Sequence, residues 1–536
     1  MTKCNRTNQD RMSTNKEIKY DAADNVKLND EVNVNLEDQH HDGLGSTPSG
    51  LCGSSTLKGS AEKGANKELI ENMRKDYPLG PHDKPQSMCP AFGSLRVGLR
   101  MKRVATVLSG SACCVYGLTF VSHFYGARRS VGYVPFSSET LVTGKLYEDI
   151  LESAHEMADP ERFDAVVFTN LCVPSASGVP LRLLPKEING VRIIGIDVPG
   201  FGIPTHAEAK DVLAGALLNY AKNEIESGPV AAPASKKSDR PTVTLLGEMF
   251  PADPMNIGAI LEPLGLAAGQ VIPCREWREL YAALDCGAVA AIHPFYTAAV
   301  REFEDAGKPI IGSAPVGVEG TNSWIDNLGD TFNITKKIVG EAKQKILPLI
   351  QKSLDDKKIN NKITVSGYEG SELIVARTLI EAGAEVPYVG TACPKTKWSA
   401  EDKDWLESKG VFVKFRASLE DDISAVKSVS PDLAIGTTPV VQKAKELGIP
   451  SLYYTNLISA RPIMGVAGAG SLAEVILQAI GNGSRMEKMK SFFEGVGEGD
   501  TAGVWEGEPN LKPQFRAHQA KKLEKRKIAA KAEEMI

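Results

Sequence analysis

The sequence predicts an α/β protein of three doubly wound, Rossmann-like domains with parallel sheets. Three observations carry this. Short runs of aliphatic and β-branched residues recur down the chain, each followed by a Gly- or Asn-bearing turn and then a helical stripe. Continuous apolar strands of this kind suit a parallel sheet covered on both faces. The length of 536 residues is enough for roughly three or four domains of ~150 residues. The openings of the second and third units also share a strand–Gly–turn–helix–Gly order, a weak internal repeat.

Residues 1–76 hold one aromatic, Tyr20, and are rich in Asn, Asp, Ser, Gly and Lys. Such a segment buries too little apolar surface to offset its ordering entropy, so a disordered extension is expected. Cys4, Cys52 and the His40-His41 pair fall in it and are expected to be solvated.

The first domain is predicted over 77–226. Strand 104–108 runs into Gly110 and Cys113-Cys114, strand 163–168 into Asn170 and Cys172, and strand 191–198 follows. Thr205 with Glu208 three residues on makes a capping box. Behind it Val212, Leu213, Ala216, Leu217 and Tyr220 form a core-facing stripe. Residues 227–240 are a Pro/Ser/Ala-rich linker.

The second domain is predicted over 241–355. It has a strand at 242–246, a helix through Ile257, Ile260, Leu261 and Leu264, and a strand at 287–292 ending in His293-Pro294-Phe295. A connecting helix over 335–354 is expected to kink or break at Pro348. The third domain, 362–485, has strands at 362–366, 385–389, 411–415, 432–435 and 451–454, with a helix over 373–382. Residues 505–536 form a tail whose last part, from Phe515, reads as a basic helix. That helix is either solvated or in contact with an acidic partner surface.

The net charge of −5 argues against general nucleic-acid binding. There is no apolar run of about 18 residues, so no membrane span is expected, and the polar N-terminus lacks a signal-peptide core. Nine cysteines, an odd number without a secretory signal, point to a reducing compartment, and a cytoplasmic location is expected.

Cys89, Cys114 and Cys172 lie on three separate turns, none forming a C-x-x-C. Thiolates gathered at one sheet edge suit an iron–sulfur cluster, which takes four ligands; buried apolar thiols suit the same spacing. Ligands sit beyond the carboxyl ends of strands in open parallel sheets, and Cys114 and Cys172 both fall there. No G-x-x-x-x-G-K-[ST] occurs. The turn from Gly367 to Ser371 has the position of a phosphate cradle but lacks a Lys and carries Glu369.

The stretch "MCPAFGSLRVGLRMKRVATVLSGSACCVYG", with "PDLAIGTTPVVQKAKELGIPSLYYTNLISARPIMG" further on, resembles the nitrogenase-like reductases, in the branch that acts on chlorophyllide a. The resemblance runs from about Cys89 to about Gly481. It implies three doubly wound domains around a central cleft and a subunit of the catalytic component. The implied reaction is reduction of the C7–C8 double bond of ring B, in bacteriochlorophyll synthesis. It further implies a [4Fe–4S] cluster on Cys89, Cys114 and Cys172, with the last ligand from a Z-type partner subunit in a heterotetramer. Cys114 is chosen over Cys113 because Cys-Val-Tyr-Gly matches the family's turn. Electrons would come from a separate ATP-dependent iron protein, which alone binds ATP-Mg.

Pro294 stands where nitrogenase has the cysteine anchoring its large metal cofactor, and 456–468 contains no histidine, so the resemblance implies a tetrapyrrole and not a molybdenum-type cluster. His293, with Phe295, is a candidate wall of that cavity; it is equally readable as a strand-end histidine bonded to backbone. Cys274, Cys286 and Cys393 are expected to be structural. The alternatives are the equivalent subunit of dark-operative protochlorophyllide reductase, and a non-catalytic scaffold for cofactor assembly. Deleting residues 1–74 is expected to leave assembly and turnover nearly intact, by co-purification with the partner and by activity. Loss of the complex would show that this segment folds onto a partner.

Overall fold

Apolar strands that are buried end to end need cover on both faces, and the helices between them supply it. The computed structural model describes residues 87–119, 131–228, 239–247, 253–459 and 461–493. The extension 1–76 and the tail 505–536 lie outside the described residues.

The first sheet contains β1 (Val104–Gly110), β2 (Val131–Pro135), β3 (Ala165–Asn170), β4 (Glu187–Ile188) and β5 (Val191–Asp197), in the spatial order β2-β1-β3-β5-β4. β1 and β3 are buried along their full length. All its pairings are parallel except β4 on β5, so this sheet departs from the all-parallel expectation at one edge.

The second sheet has β6 (Thr242–Leu246), β7 (Ala267–Ile272), β8 (Ala288–Ala291) and β9 (Ile310–Ile311), ordered β7-β6-β8-β9 and parallel throughout. The third has β10 (Lys362–Gly367), β11 (Glu385–Thr391), β12 (Phe412–Phe415), β13 (Leu433–Gly436) and β14 (Ser451–Tyr453). Its order is β12-β11-β10-β13-β14, again parallel. Strand order reverses between β1 and β3, β6 and β8, and β10 and β13, and the carboxyl ends at such reversals are where ligands bind.

β2 and β7 escape a search for apolar runs because Gly and Pro interrupt the first and Gly and Gln the second. The helix Lys336–Asp355 runs unbroken through Pro348. Its buried stripe of Ala342, Ile346, Ile350 and Leu354 continues on both sides of the proline, and this packing outweighs the one hydrogen bond that proline removes.

The cores do not divide along the domain boundaries. The second and third sheets share one apolar cluster, into which the helix Gly465–Ile480 also packs. The first domain's core takes in the helices Trp277–Leu284 and Thr297–Asp305 of the second. The helix His206–Ser227 makes the junction. Its Asp211 accepts from the N–H groups of Ala298 (2.7 Å) and Ala299 (2.9 Å). It thus caps a neighbouring helix that has no side-chain cap of its own.

In the third domain Asp422 accepts from the Tyr388 hydroxyl at 2.8 Å. Burial nevertheless pushes its carboxyl up to about 8. The folded chain therefore keeps a proton that the unfolded chain sheds from about pH 4 upward, so this group's contribution to stability falls as pH rises toward 8. Asp422→Asn is expected to match the parent near pH 4 and to exceed it above pH 8 by on the order of a few kcal/mol. The check is the difference in Tm between the two proteins at each pH. An equal difference at both would show that the carboxyl is ionised throughout.

Candidate metal centre

Three segments bring thiols to the carboxyl end of the first sheet. Cys113 and Cys114 lie in the first turn of the helix Ala112–Thr119, and not in an open turn. Cys172 begins the short helix Cys172–Ala176, just beyond β3. Cys89 stands two residues before the helix Ala91–Arg100. β1 and β3 pair with Ser109 opposite Asn170, so Cys114 and Cys172 both lie beyond the carboxyl ends of neighbouring strands.

Two glycines permit the close approach. A Cβ on Gly110 would lie 2.8 Å from Leu171 Cδ1, and one on Gly93 only 1.7 Å from the His206 carbonyl oxygen. The second contact is where the helix following Cys89 crosses the helix His206–Ser227. The Cys172 segment is further held by Asp197, which accepts from Asn170 Nδ2 (2.9 Å) and Ser175 Oγ (3.0 Å).

All four thiols of the region are exposed. Among the described residues no three His, Cys, Asp or Glu side chains close around one metal-ion position. A four-iron cluster spreads its ligands more widely than a single ion does. Cys89, Cys114 and Cys172 nonetheless feel one another's charge. Surrounding protein pushes the Cys89 thiol up, against the Ala91 N–H bonded to it, and Cys172 adds to the rise. The surroundings also push Cys114 up, helped by Cys113 and by the charges of Cys89 and Cys172.

Cys113 differs. Its Sγ lies 3.1 Å from Ser111 Oγ, and that bond and the one to Cys114 pull its thiol down. The Gly200 N–H donates to Cys172 Sγ at 3.2 Å. Two sulfurs thus carry backbone N–H donors, the feature that tunes cluster potentials. An exposed three-thiol set with backbone donors at two of its sulfurs fits the residue chemistry of an iron–sulfur cluster. Thiols raised in this way must release protons on loading, so loading is favoured by higher pH.

Cys274, Cys286 and Cys393 are buried. Burial pushes Cys274 up to about 12 and raises the other two as well. His293 and Phe295 follow β8 and are 1% and 2% exposed. The His293 ring packs on Gly247, and the Phe295 ring packs on Gly370 of the third domain. As packed here, neither ring is presented to a macrocycle.

Sequence reasoning missed a cluster beside Cys89. Glu369, 3% exposed, reaches from the third domain into the first. Its Oε1 lies 3.0 Å from His206 Nε2 and 3.6 Å from Arg96 Nη1, and its Oε2 lies 2.8 Å from Lys210 Nζ. Burial opposes the charge on Glu369, but His206, Lys210 and Arg96 hold its carboxyl well below the usual range. Burial pushes His206 down. Its Nδ1, on the far side of the ring from the carboxylate, lies 3.4 Å from Ser87 Oγ.

The only sequence signal was Glu369 itself, an acid in a glycine turn. That turn is no phosphate cradle: Glu372 accepts from the N–H groups of Glu369 and Gly370, each at 2.9 Å, and so occupies the anion position.

The chain belongs to the nitrogenase component 1 type oxidoreductases, whose family profile matches residues 89–481, beginning on Cys89. It is 70% identical to the chlorophyllide reductase 52.5 kDa chain of Cereibacter sphaeroides, over 91% of this chain and 97% of that one. It is 68% identical to the protein of the same description from Rhodobacter capsulatus, over 90% and 98%. In three dimensions it is similar to a chain of nitrogenase Cp1, with a TM-score of 0.58 and 18% identity over 74% of this chain and 93% of that one. This last likeness concerns the fold. No helix among the described residues is long and apolar enough to cross a membrane.

Proposed function

We propose that the chain is a subunit of the catalytic component of chlorophyllide a reductase, in bacteriochlorophyll synthesis. The component reduces the C7–C8 double bond of ring B and gives 3-vinyl bacteriochlorophyllide a. Two electrons and two protons enter, and one C–H bond forms at each carbon as the double bond is lost. The electrons come from a separate ATP-dependent iron protein that binds ATP-Mg itself. The observation that supports this reading is the 70% identity to a chlorophyllide reductase chain over nearly its whole length, with Cys114 and Cys172 beyond the carboxyl ends of adjacent strands of the first sheet.

These three residues would hold a [4Fe–4S] cluster, with the fourth ligand from the Z-type subunit in a heterotetramer. When bound, the cluster supplies one-electron transfer. The Ala91 and Gly200 N–H groups point at sulfur and favour the added negative charge. Around the thiols Met88, Tyr116, Val173 and Phe201 are 42%, 83%, 37% and 49% exposed. Apolar side chains grouped in this way suit cover by a partner that excludes water from the site. His293 and Phe295 are proposed as substrate-cavity wall only in an arrangement where the contact between Phe295 and Gly370 has opened.

The test is anaerobic co-expression with the partner subunit, followed by iron analysis and a chlorophyllide a reduction assay with the iron protein and ATP. Bound iron with turnover of chlorophyllide a is the expected result. Bound iron without turnover would indicate an assembly scaffold. Reduction of protochlorophyllide on ring D instead would assign the other reductase.

A further inference from the structure

We infer that Glu369 is a positioning residue for Cys89, acting through His206 and Ser87 on the segment before it and through Arg96 on the helix after it. The inference rests on the reading of Cys89 as a cluster ligand. Ser87 Oγ accepts from the His206 backbone N–H at 3.0 Å and lies 3.4 Å from His206 Nδ1. The same hydroxyl donates to the Met88 carbonyl at 3.0 Å, next to Cys89. Arg96 stands in the helix that follows Cys89. One carboxylate is therefore linked, through His206, to the segment just before Cys89 and, through Arg96, to the helix that follows it.

Glu369 is itself held rigidly. Glu372 binds the backbone N–H groups of Glu369 and Gly370. Gly370 has φ +95°, and a Cβ there would lie 2.0 Å from Phe295 Cδ1. The turn therefore cannot shift freely, and the carboxylate is aimed into the first domain.

A buried carboxylate among cations could serve only to join two domains. The same helix carries another bridge to the third domain: Glu208 takes Arg416 Nη1 and Nη2, each at 2.7 Å. That bidentate pair is the stronger kind of link. The Arg416 side chain goes on to the Ala392 carbonyl at 3.1 Å, and Glu208 accepts from Thr205 Oγ1 at 2.8 Å within its own helix cap. The two bridges join the same pair of domains and differ in where their hydrogen bonds lead. Removing a charge from the Glu369 cluster would leave Lys210 buried beside a neutral group, and the Ser87–Cys89 segment would lose its anchor.

The experiment uses the full chain purified with its partner subunit and stripped anaerobically of iron by a chelator. Alkylation of Cys89, Cys113 and Cys172 by iodoacetamide is followed residue by residue by mass spectrometry. Glu369→Gln is expected to speed alkylation of Cys89 by about 5- to 30-fold, with Cys113 and Cys172 unchanged. Ser87→Ala, at the edge of the network, is expected to act in the same selective way, while Arg416→Gln leaves all three rates as they were. In the loaded complex, Glu369→Gln is expected to alter the electron paramagnetic resonance spectrum of the reduced cluster, and Arg416→Gln to preserve it.

Equal acceleration at all three cysteines, no acceleration at Cys89, or the same selectivity from Arg416→Gln would overturn the inference. If Glu369→Gln does not fold, Ser87→Ala decides: selective acceleration at Cys89 supports positioning, and its absence refutes it. Failure of the ligand reading shows separately, as full iron content in Cys89→Ser, because the alkylation rates are measured without iron.

Discussion

Replacing Cys172 by serine is expected to lower bound iron and reductase turnover by more than ~10-fold, the scale on which metal-site residues act. Serine at Cys89 or Cys114 is expected to do the same, and Cys113→Ser to do much less. The distinction between the adjacent cysteines is sharp. Cys114 shares charge with Cys89 and Cys172, while Cys113 turns to Ser111 at 3.1 Å. Iron per complex and the visible absorbance of the cluster measure the effect. Full iron and activity in Cys172→Ser would remove that residue from the ligand set. If only Cys113→Ser lost iron, the two neighbours would have to exchange roles.

Gly93→Ala is expected to be nearly as damaging, although no ligand is touched. The new Cβ would stand 1.7 Å from the His206 carbonyl oxygen and 3.1 Å from the Lys210 backbone nitrogen. Both are backbone atoms of a helix buried against this one, so the helices must move apart. Overpacking of this kind costs about 1–3 kcal/mol, occasionally more, and Cys89 stands two residues before the displaced helix. Both Tm and bound iron are expected to fall. Gly117→Ala provides the control: a Cβ there meets nothing within 4 Å, so the isolated fold is expected to accept it. A Gly93→Ala protein with unchanged Tm and iron would mean that the two helices separate without moving the thiol.

Much of this protein was legible from its residues. The strands β1, β3, β6, β10 and β13 are apolar runs closed by a turn, a pattern with a direct physical cause in two-sided burial. The capping box at Thr205 and Glu208 also forms as expected, with the Glu208 N–H bonded to Thr205 Oγ1 at 3.2 Å. Cys114 and Cys172 could be named as candidates as well, because they follow strand ends, where ligands sit in open parallel sheets; Cys89 and the choice of Cys114 over Cys113 came from the resemblance.

Other features depend on atoms far apart in sequence. The contact of Gly93 with His206, the Gly200 donor on Cys172, and the convergence of His206, Lys210 and Arg96 on Glu369 leave no local pattern. Each is set by how helices and domains pack. The helix continues through Pro348, where a kink or break was expected, for the same reason: a buried stripe runs on both sides of the proline. Local sequence thus determined most of the strands and which thiols were candidates. Tertiary packing decided which cations gather on Glu369 and where two helices touch at Gly93, because close approach and buried charge are properties of assembled surfaces, not of any one segment.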